Sequence, residues 1–461
     1  MPLRASILLL VLTATATRAI GAQAADFAIL NDSLSRIHDS IAVRRLEESR
    51  LPARNAPAPA HVTHGLIALR LYELTGDEAV NRRATEAFER AIQRDQALSW
   101  AHFGLARSLA TSAAAKPLSS GGKRGFFVLD DVARRLVGRD ARSRARAAYK
   151  RALTRDPPAE PAARELAELV LAAPETESLQ EARTALQNLG TTSALDLAAL
   201  TRVHTALGDT VAANHAAAAA LAASATTATR YAAARAWLLG SRAEAGARLL
   251  FDAIRTATGE ELRVFYDDVV PIAAEVEKEQ WQTGDTEARR RLLLEFWDLR
   301  AGLAGVTVAQ RLTEHFERLR YAEQHFLRMH EFPPPDPAAL RIVSNARLSR
   351  FDDRGDFYIR HGRPEQEILT RKQDGADFLS WAYRQPDRST RLIHFFRDGP
   401  DFRLAGRIPC DQEFLRDRAG LDARLGPASV RCDQLRMLSY SAEYRELASA
   451  ALATDSHHAR F

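Results

Sequence analysis

Residues 351–365, FDDRGDFYIRHGRPE, combine an acidic turn, a short alternating stretch and a Gly/Pro stop. Phe357 and Ile359 alternate with more polar neighbours, which is the period of a half-buried β-strand. Gly362 and Pro364 follow, and both residue types favour a turn. The stretch therefore predicts a strand at the start of a β-rich module.

The residues after this stretch keep a period of two. Leu379, Trp381 and Tyr383 alternate with small or polar residues, and residues 392–396 (LIHFF) are apolar on both faces, as in a central strand. Residues 402–404 fit a short closing strand. We predict a small antiparallel sheet of four or five strands within residues 338–406, followed by a helical tail.

The chain before this module has a helical period and is organised in pairs of helices. The first two pairs place small residues opposite aromatic ones, a pattern that lets two helices approach closely while an aromatic ring fills the gap. These residues are Gly65, Ala84, Phe88 and Ala91 in the first pair, and Trp100, Phe103, Gly104, Ala145, Tyr149 and Ala152 in the second. The pattern resembles that of degenerate tetratricopeptide repeats, which implies an α-solenoid.

Weaker pairs follow at residues 160–189, 194–222 and 231–254, and a plain helical bundle is the alternative for this Ala-rich part. The segment 111–140 interrupts the second pair and is predicted to be a surface loop. Beyond residue 258, Thr307 is a candidate N-cap for a helix whose apolar stripe has the spacing of a buried face.

The N-terminus has the pattern of an export signal, with Arg4, an apolar core at residues 7–12 and small residues for cleavage at Ala22 and Ala24. An ordinary buried helix is the alternative. Cys410 and Cys432 are a disulfide candidate if the protein is exported and two unrelated thiols if it is not. The signal predicts a periplasmic, extracellular or cell-envelope protein with no later membrane span.

The region 296–404 resembles the GWxTD domain of bacterial proteins. The matching residues are Phe296, Trp297 and Arg300 (FWxxR), Tyr321, Ala322 and Phe326 (YAxxxF), residues 353–364 (DRGxxYIRxGxP), and Trp381 with Tyr383. The chain departs from the pattern at Ser349, Arg350 and Asp352, which stand where the domain has Gly, Trp and Thr. The resemblance implies a bacterial protein in which such a module accompanies export signals and helical repeats, and it implies no reaction.

The same region contains side chains that suit ligand binding, because arginine pairs with carboxylate or phosphate and aromatic rings stack. The candidate ligand or anion contacts are Asp353, Arg354, Tyr358, Arg360, His361, Arg363, Trp381 and Tyr383. A polar sheet face with ion pairs is the alternative explanation. Asp352, Asp353 and Asp356 would suit a divalent cation, but turn acids beside Arg354 explain them as well, so we assign no metal, cofactor or catalytic residue.

Composition excludes some functions for the 461-residue chain. A formal net charge of +5 without a basic, aromatic-rich face argues against nucleic-acid binding. We expect an α+β protein that acts as an exported interaction or scaffold protein, its repeats binding a protein or peptide; an enzyme or small-ligand-binding protein with a site on the β module is the alternative. The predicted segments are a signal peptide (1–24), a helical lead and linker (26–60), tetratricopeptide-like repeats (61–257), a helical connector (258–332), the GWxTD-like module (338–406) and a helical tail (407–461).

Overall fold

A computed structural model describes residues 20–53, 55–115, 141–190, 193–328, 350–371, 377–384, 390–399, 401–405, 417 and 439–440. By its internal contacts the chain divides into two compact units. Unit 1 contains residues 1–172 and 176–191, and unit 2 contains residues 173–175 and 192–461. The division falls between the third and fourth predicted helix pairs, and each unit is described by itself.

Unit 1 is helical throughout the part that the structure describes. Its helices are α1 (Ile20–Ser35), α2 (Ser40–Ser49), α3 (Ala58–Thr75), α4 (Glu78–Arg94), α5 (Ser99–Ala115), α6 (Ala141–Thr154), α7 (Pro161–Leu171) and α8 (Thr176–Asn188). Helices α3 and α4, α5 and α6, and α7 and α8 pack as consecutive hairpins. The three helix pairs predicted for this region are therefore confirmed as hairpins.

Phe88 explains why small residues recur in these hairpins. Its ring is fully buried between α3 and α5, and a methyl group added at Gly65 would lie 2.6 Å from it. Gly104 meets the same ring even more closely. The two glycines thus allow one aromatic ring to join adjacent hairpins, which is the packing that the sequence pattern predicted.

Unit 2 begins with eight helices in the residues that the structure describes. They are α9 (Ala194–Leu207), α10 (Thr210–Ala223), α11 (Thr227–Leu238), α12 (Ala243–Thr256), α13 (Leu262–Val269), α14 (Glu275–Thr283), α15 (Thr286–Ala304) and α16 (Val308–His325). Thr307 is the N-cap of α16, as predicted, and its hydroxyl accepts a hydrogen bond from the Gln310 N–H at 3.2 Å. The remaining helix pairs predicted by the sequence are α9 with α10 and α11 with α12, and both are present.

The strand predicted at Phe357 and Ile359 is wrong. Residues Asp353–His361 form a helix, α17, that Asp352 caps by accepting hydrogen bonds from the N–H groups of Arg354 and Gly355. The buried residues of this helix, from Asp353 to Ile359, are spaced two positions apart. Residues at that spacing in a helix point about 200° apart, so two opposite sides of the helix are buried. Alternating burial therefore arises without a strand.

The two sides of α17 contact different layers. Phe357 packs edge-on against Phe395 of the sheet, with ring centroids 5.8 Å apart. On the other side, Gly355 lies so close to Phe351 and Phe326 that an added methyl would come within 2.5 and 3.0 Å of their Cβ atoms. Helix α17 is thus held between the helices of unit 2 and the sheet.

The sheet contains β1 (Gln366–Arg371), β2 (Asp377–Arg384), β3 (Thr390–Asp398) and β4 (Asp401–Leu404), antiparallel in that order. Strands β2, β3 and β4 confirm the strands predicted around residues 379–383, 392–396 and 402–404, but β2 is buried on both faces at residues 379–383 and not on alternate residues. Strand β1 was not predicted because it is an edge strand whose only buried side chain is Thr370, so it has no apolar alternation. The short strand β5 (Ser439–Tyr440) pairs parallel to β3, within the segment predicted as a helical tail.

One apolar core runs from α11 to β4 and includes Tyr231, Phe265, Trp297, Phe316 and Trp381. Next to it lies a buried polar network, in which the Tyr231 hydroxyl donates to Asp268 at 2.6 Å. Arg235 pairs with Glu323 at 3.3 Å, and Arg350 also bonds Glu323, at 2.6 Å. Arg350 therefore adds a second guanidinium group to this network.

Several predictions fall outside the described residues. They concern residues 1–19 of the signal, residues 116–140 of the loop, Cys410 with Cys432, and most of the tail. Across the part of the chain that the structure covers, no helix combines the length and hydropathy needed to cross a membrane.

Candidate binding surfaces

Asp352 and Asp353 join α17 to the edge strand β4. A carboxylate oxygen of Asp353 accepts the Leu404 N–H at 2.6 Å, and Asp352 accepts the Phe402 N–H at 3.2 Å. Burial raises the pKa of Asp352, although the ion pair with Arg354 opposes that shift. The hydrogen bonds to β4 give Asp352 and Asp353 a structural role in the fold. Among the described residues, no group of three or more His, Cys, Asp or Glu side chains is arranged to hold a metal ion.

Arg354 and Arg360 make specific internal contacts. The Arg354 guanidinium pairs with Asp352 at 2.6 Å and lies 4.2 Å from the centroid of the Phe402 ring. Arg360 donates to the Pro271 carbonyl at 2.6 Å. Both arginines therefore tie α17 to its neighbours.

Trp381, Tyr383 and His361 also lie against other groups of unit 2. Trp381 is 1% exposed and packs edge-on against Phe395. The Tyr383 hydroxyl donates to the Gly362 carbonyl at 3.1 Å, and burial raises the pKa of Tyr383. The His361 ring stacks on Phe357 at 5.5 Å.

Tyr358 reaches the surface as part of an aromatic stack formed by Tyr358, Tyr321 and His325. The Tyr321 ring lies 4.4 Å from Tyr358 and 4.0 Å from His325, with the planes within 17° and 15° of parallel. Tyr321 is 38% exposed, and Arg363 is exposed too. The His325 Nδ1–H donates to the Tyr321 carbonyl at 2.8 Å, which fixes the imidazole in this stack.

The structure brings part of the predicted set together, because the Tyr358 ring lies 6.5 Å from that of Trp381 and the His361 ring lies 5.7 Å from that of Tyr383. Asp353, Arg354, Arg360, Trp381 and Tyr383 are occupied by contacts within unit 2, and His361 lies on Phe357. Tyr358 belongs to the aromatic stack. Sequence reasoning did not assign Tyr321 and His325 to it, although their spacing of four residues on one helix predicts neighbouring rings.

A shallow groove of about 640 Å³ lies elsewhere on unit 2, lined by Thr258, Gly259, Glu260, Arg263, Trp281 and Arg289. The Arg289 guanidinium is 5.2 Å from the centroid of the Trp281 ring, and its Nε donates to the Trp281 carbonyl at 2.8 Å. Trp281 in turn stacks on Tyr266 at 4.0 Å. In the groove wall, Arg289 and Trp281 therefore hold each other in place, and Tyr266 supports the Trp281 ring.

A surface that the sequence analysis missed lies on unit 1, where α1 covers the first helices of two hairpins. We call it the first-helix face and define it by Leu66, Leu69, Arg70 and Glu73 of α3 with Trp100 and Arg107 of α5. Phe27, Leu30 and Leu34 of α1 are buried, and the Phe27 ring lies 6.1 Å from that of Trp100. A seated helix therefore already occupies this face.

Two arginines of the first-helix face hold α1. Arg107 donates to the Asn31 side-chain oxygen at 3.0 Å. Arg70 donates to the backbone carbonyls of Ser35 at 3.1 Å and Ile37 at 2.8 Å. The last carbonyls of a helix have no partner within it, so Arg70 supplies a donor at the end of α1 and a second one in the turn that follows it.

The arginines are positioned by acids on the same face. Glu73 pairs with Arg70 at 3.1 Å and with Arg107 at 2.8 Å, while Glu165 of α7 accepts the Tyr149 hydroxyl at 3.0 Å. Burial disfavours the charge of Arg107, but Glu165 and Glu73 outweigh it and raise its pKa. The ion pairs thus keep Arg107 charged, and Glu73 holds both guanidinium groups directed at α1.

Comparison with known proteins gives no relative for this chain: no protein-family model matches it, and no curated protein matches it.

Proposed function

We propose that this chain is an exported interaction protein of the bacterial envelope, in which tetratricopeptide-like hairpins bind a segment of a partner protein. The observation that carries the proposal is α1 seated on the first-helix face. The face offers apolar side chains beside charged arginines, which is the combination that a helix-in-groove interaction requires. The solenoid arrangement and the GWxTD identity of the C-terminal module are parts of the same proposal.

The mode of binding follows from the two kinds of contact on the face. Leu66, Leu69 and Trp100 provide apolar surface, while Arg70 and Arg107 provide donors for carbonyl or side-chain oxygens. Apolar burial supplies most of the affinity, and the arginines select the position and direction of the bound segment. A scaffold role of this kind needs no catalytic group.

The test is crosslinking of the native envelope, followed by affinity capture and mass spectrometry of the tagged protein. The test variant changes Arg70 and Arg107 to alanine, and the matched control changes Arg82 and Arg90, exposed residues of α4, to alanine. We expect a reproducible partner that the first variant loses and the control retains. Capture of the same partner by both variants would place its binding elsewhere.

The aromatic stack favours a second candidate function, the binding of a small ligand on the β module. Tyr321 is partly exposed, and the charge of the exposed Arg363 acts on Tyr358. A flat or sugar-like ligand with a negative group suits such a platform. If the aromatic stack binds a ligand, Tyr321→Ala should abolish that ligand binding. If the first-helix face binds a partner protein, Tyr321→Ala should leave partner capture unchanged.

A further inference from the structure

We propose that α1 is an internal ligand of the first-helix face, and that a partner's amphipathic helix of the same chemistry displaces it. This inference rests on the proposed function and names both the class of partner and its regulation. The matching helix carries an aromatic residue, aliphatic residues three and seven positions later, and a hydrogen-bond acceptor four positions later. These are the positions of Phe27, Leu30, Leu34 and Asn31.

The burial pattern shows that α1 contacts the hairpins through a single row of side chains. Between residues 23 and 35, only Phe27, Leu30 and Leu34 are buried, and Ile29 on the outer side is 52% exposed. In contrast, α3 buries eleven residues. A helix with few buried contacts opens at a lower free energy than the hairpins beneath it.

The chain next to α1 is anchored independently of it. Glu47 of α2 is buried, pairs with Arg83 of α4 at 2.9 Å and lies 3.8 Å from His64 of α3. Asp39 caps α2 by accepting from the Ile41 N–H at 2.9 Å. Because these contacts do not involve α1, α2 can stay in place when α1 leaves, and the turn at residues 36–39 acts as the hinge.

The uncovered face would keep its binding groups in position. Glu73 pairs with both Arg70 and Arg107, so neither guanidinium depends on α1 for its orientation. A helix supplied in trans therefore meets the same apolar surface and the same donors. All three buried residues of α1 lie beyond the predicted cleavage point at Ala24, so the occupant is retained after export.

A tethered segment competes at a high effective concentration, and a free peptide binds only the fraction of molecules whose face is open. The experiment measures binding of a fluorescent peptide of residues 25–37 to the purified chain by anisotropy. Leu30→Asp prevents docking of α1 without altering the face. The matched control is Ile29→Asp, which adds the same charge on the exposed side of the same helix.

We expect the Leu30→Asp chain to bind the peptide at least about tenfold more tightly than the wild type, and the Ile29→Asp chain to behave as the wild type. Adding Arg107→Ala to Leu30→Asp should weaken peptide binding again. Hydrogen exchange should show faster exchange in α1 with unchanged protection in α3 and α4. If Leu30→Asp disturbs those hairpins, Phe27→Ser serves as the second variant.

Equal peptide affinity of the wild type and the Leu30→Asp chain would overturn the inference, as would absence of binding to both. Concentration-dependent dimers of the wild-type chain that the peptide dissociates would identify a second copy as the occupant and overturn the partner-helix assignment. The assay needs only purified chain and peptide, so it can fail while envelope capture succeeds, or succeed while capture fails.

Discussion

At the scale of single residues, Gly355 has the least room for a side chain among the glycines that the structure describes in unit 2. A methyl group there would lie 2.5 Å from the Phe351 Cβ, so Gly355→Ala should overpack the junction between α17 and α16. We expect a loss of about 1–3 kcal/mol in the free energy of unfolding, measured by chemical denaturation.

Gly302 supplies the matched control for that substitution. It lies in α15, and an added methyl would meet no atom within 4 Å. Gly302→Ala should therefore stabilise the protein by up to about 1 kcal/mol, since alanine is the better helix former. A similar loss in both variants would show that the contact with Phe351 does not limit the packing at Gly355.

His315 makes stability depend on pH. Complete burial, together with the nearby charges of Arg311, Arg318 and Arg235, holds its pKa well below the usual 6.5, although its ring nitrogen bonds the Asp268 carbonyl at 3.0 Å. The unfolded chain takes up a proton at this histidine below pH 6.5 and the folded chain does not. The contribution of neutral His315 to the free energy of unfolding is therefore present above pH 6.5 and is lost as the pH falls below it.

The corresponding experiment compares thermal unfolding from pH 7.5 to about 5.5 for the wild type and His315→Gln. The variant keeps an N–H donor for the carbonyl but does not titrate. It should lose about 1 kcal/mol less than the wild type over that range. Identical pH dependence of the two proteins would assign the effect to other groups, such as His61, His64 and His102, whose pKa values burial also lowers.

At the scale of elements, the buried network couples α11, α13 and α16 through charge. Removing one partner leaves the other charge buried without compensation, which typically costs about 3–5 kcal/mol. Arg235→Met should therefore destabilise unit 2 strongly, because Glu323 and Asp268 lose their shared cation. The control is Arg255→Met on α12, whose ion pair with Asp252 is exposed and should contribute little.

Calorimetry of the Arg235→Met and Arg255→Met variants measures the difference between their melting temperatures. Comparable melting temperatures for the two would mean that Arg350, which also pairs with Glu323, replaces Arg235.

At the scale of the whole molecule, the N-terminal signal predicts export with cleavage after Ala24. We expect the mature protein to begin at Ala25 and to be recovered in the envelope or outside the cell, as shown by N-terminal mass spectrometry and fractionation. Replacing Ala22 and Ala24 with bulky residues should leave an uncleaved precursor, because the cleavage site requires small side chains. An intact N-terminus in the cytoplasmic fraction would contradict the prediction.

The sequence by itself determined the hairpins of unit 1, the N-cap at Thr307 and the strands β2 to β4. In each case the information is local: small and aromatic residues at helical spacing, one capping hydroxyl, or short runs of apolar residues that either alternate or are continuous. The order of helices before strands follows from the same local signals.

Only the tertiary structure decided the state of residues 353–361 and the place of α1. Phe357 and Ile359 are buried because layers of the protein lie on opposite sides of α17. The alternation of apolar and polar residues in the sequence of α17 is therefore the same as in a half-buried strand. The first-helix face depends on contacts between Phe27 and Trp100 and between Asn31 and Arg107, residues more than 70 positions apart in the chain. Local propensity contains no information about such pairs, because they exist only once the hairpins have packed.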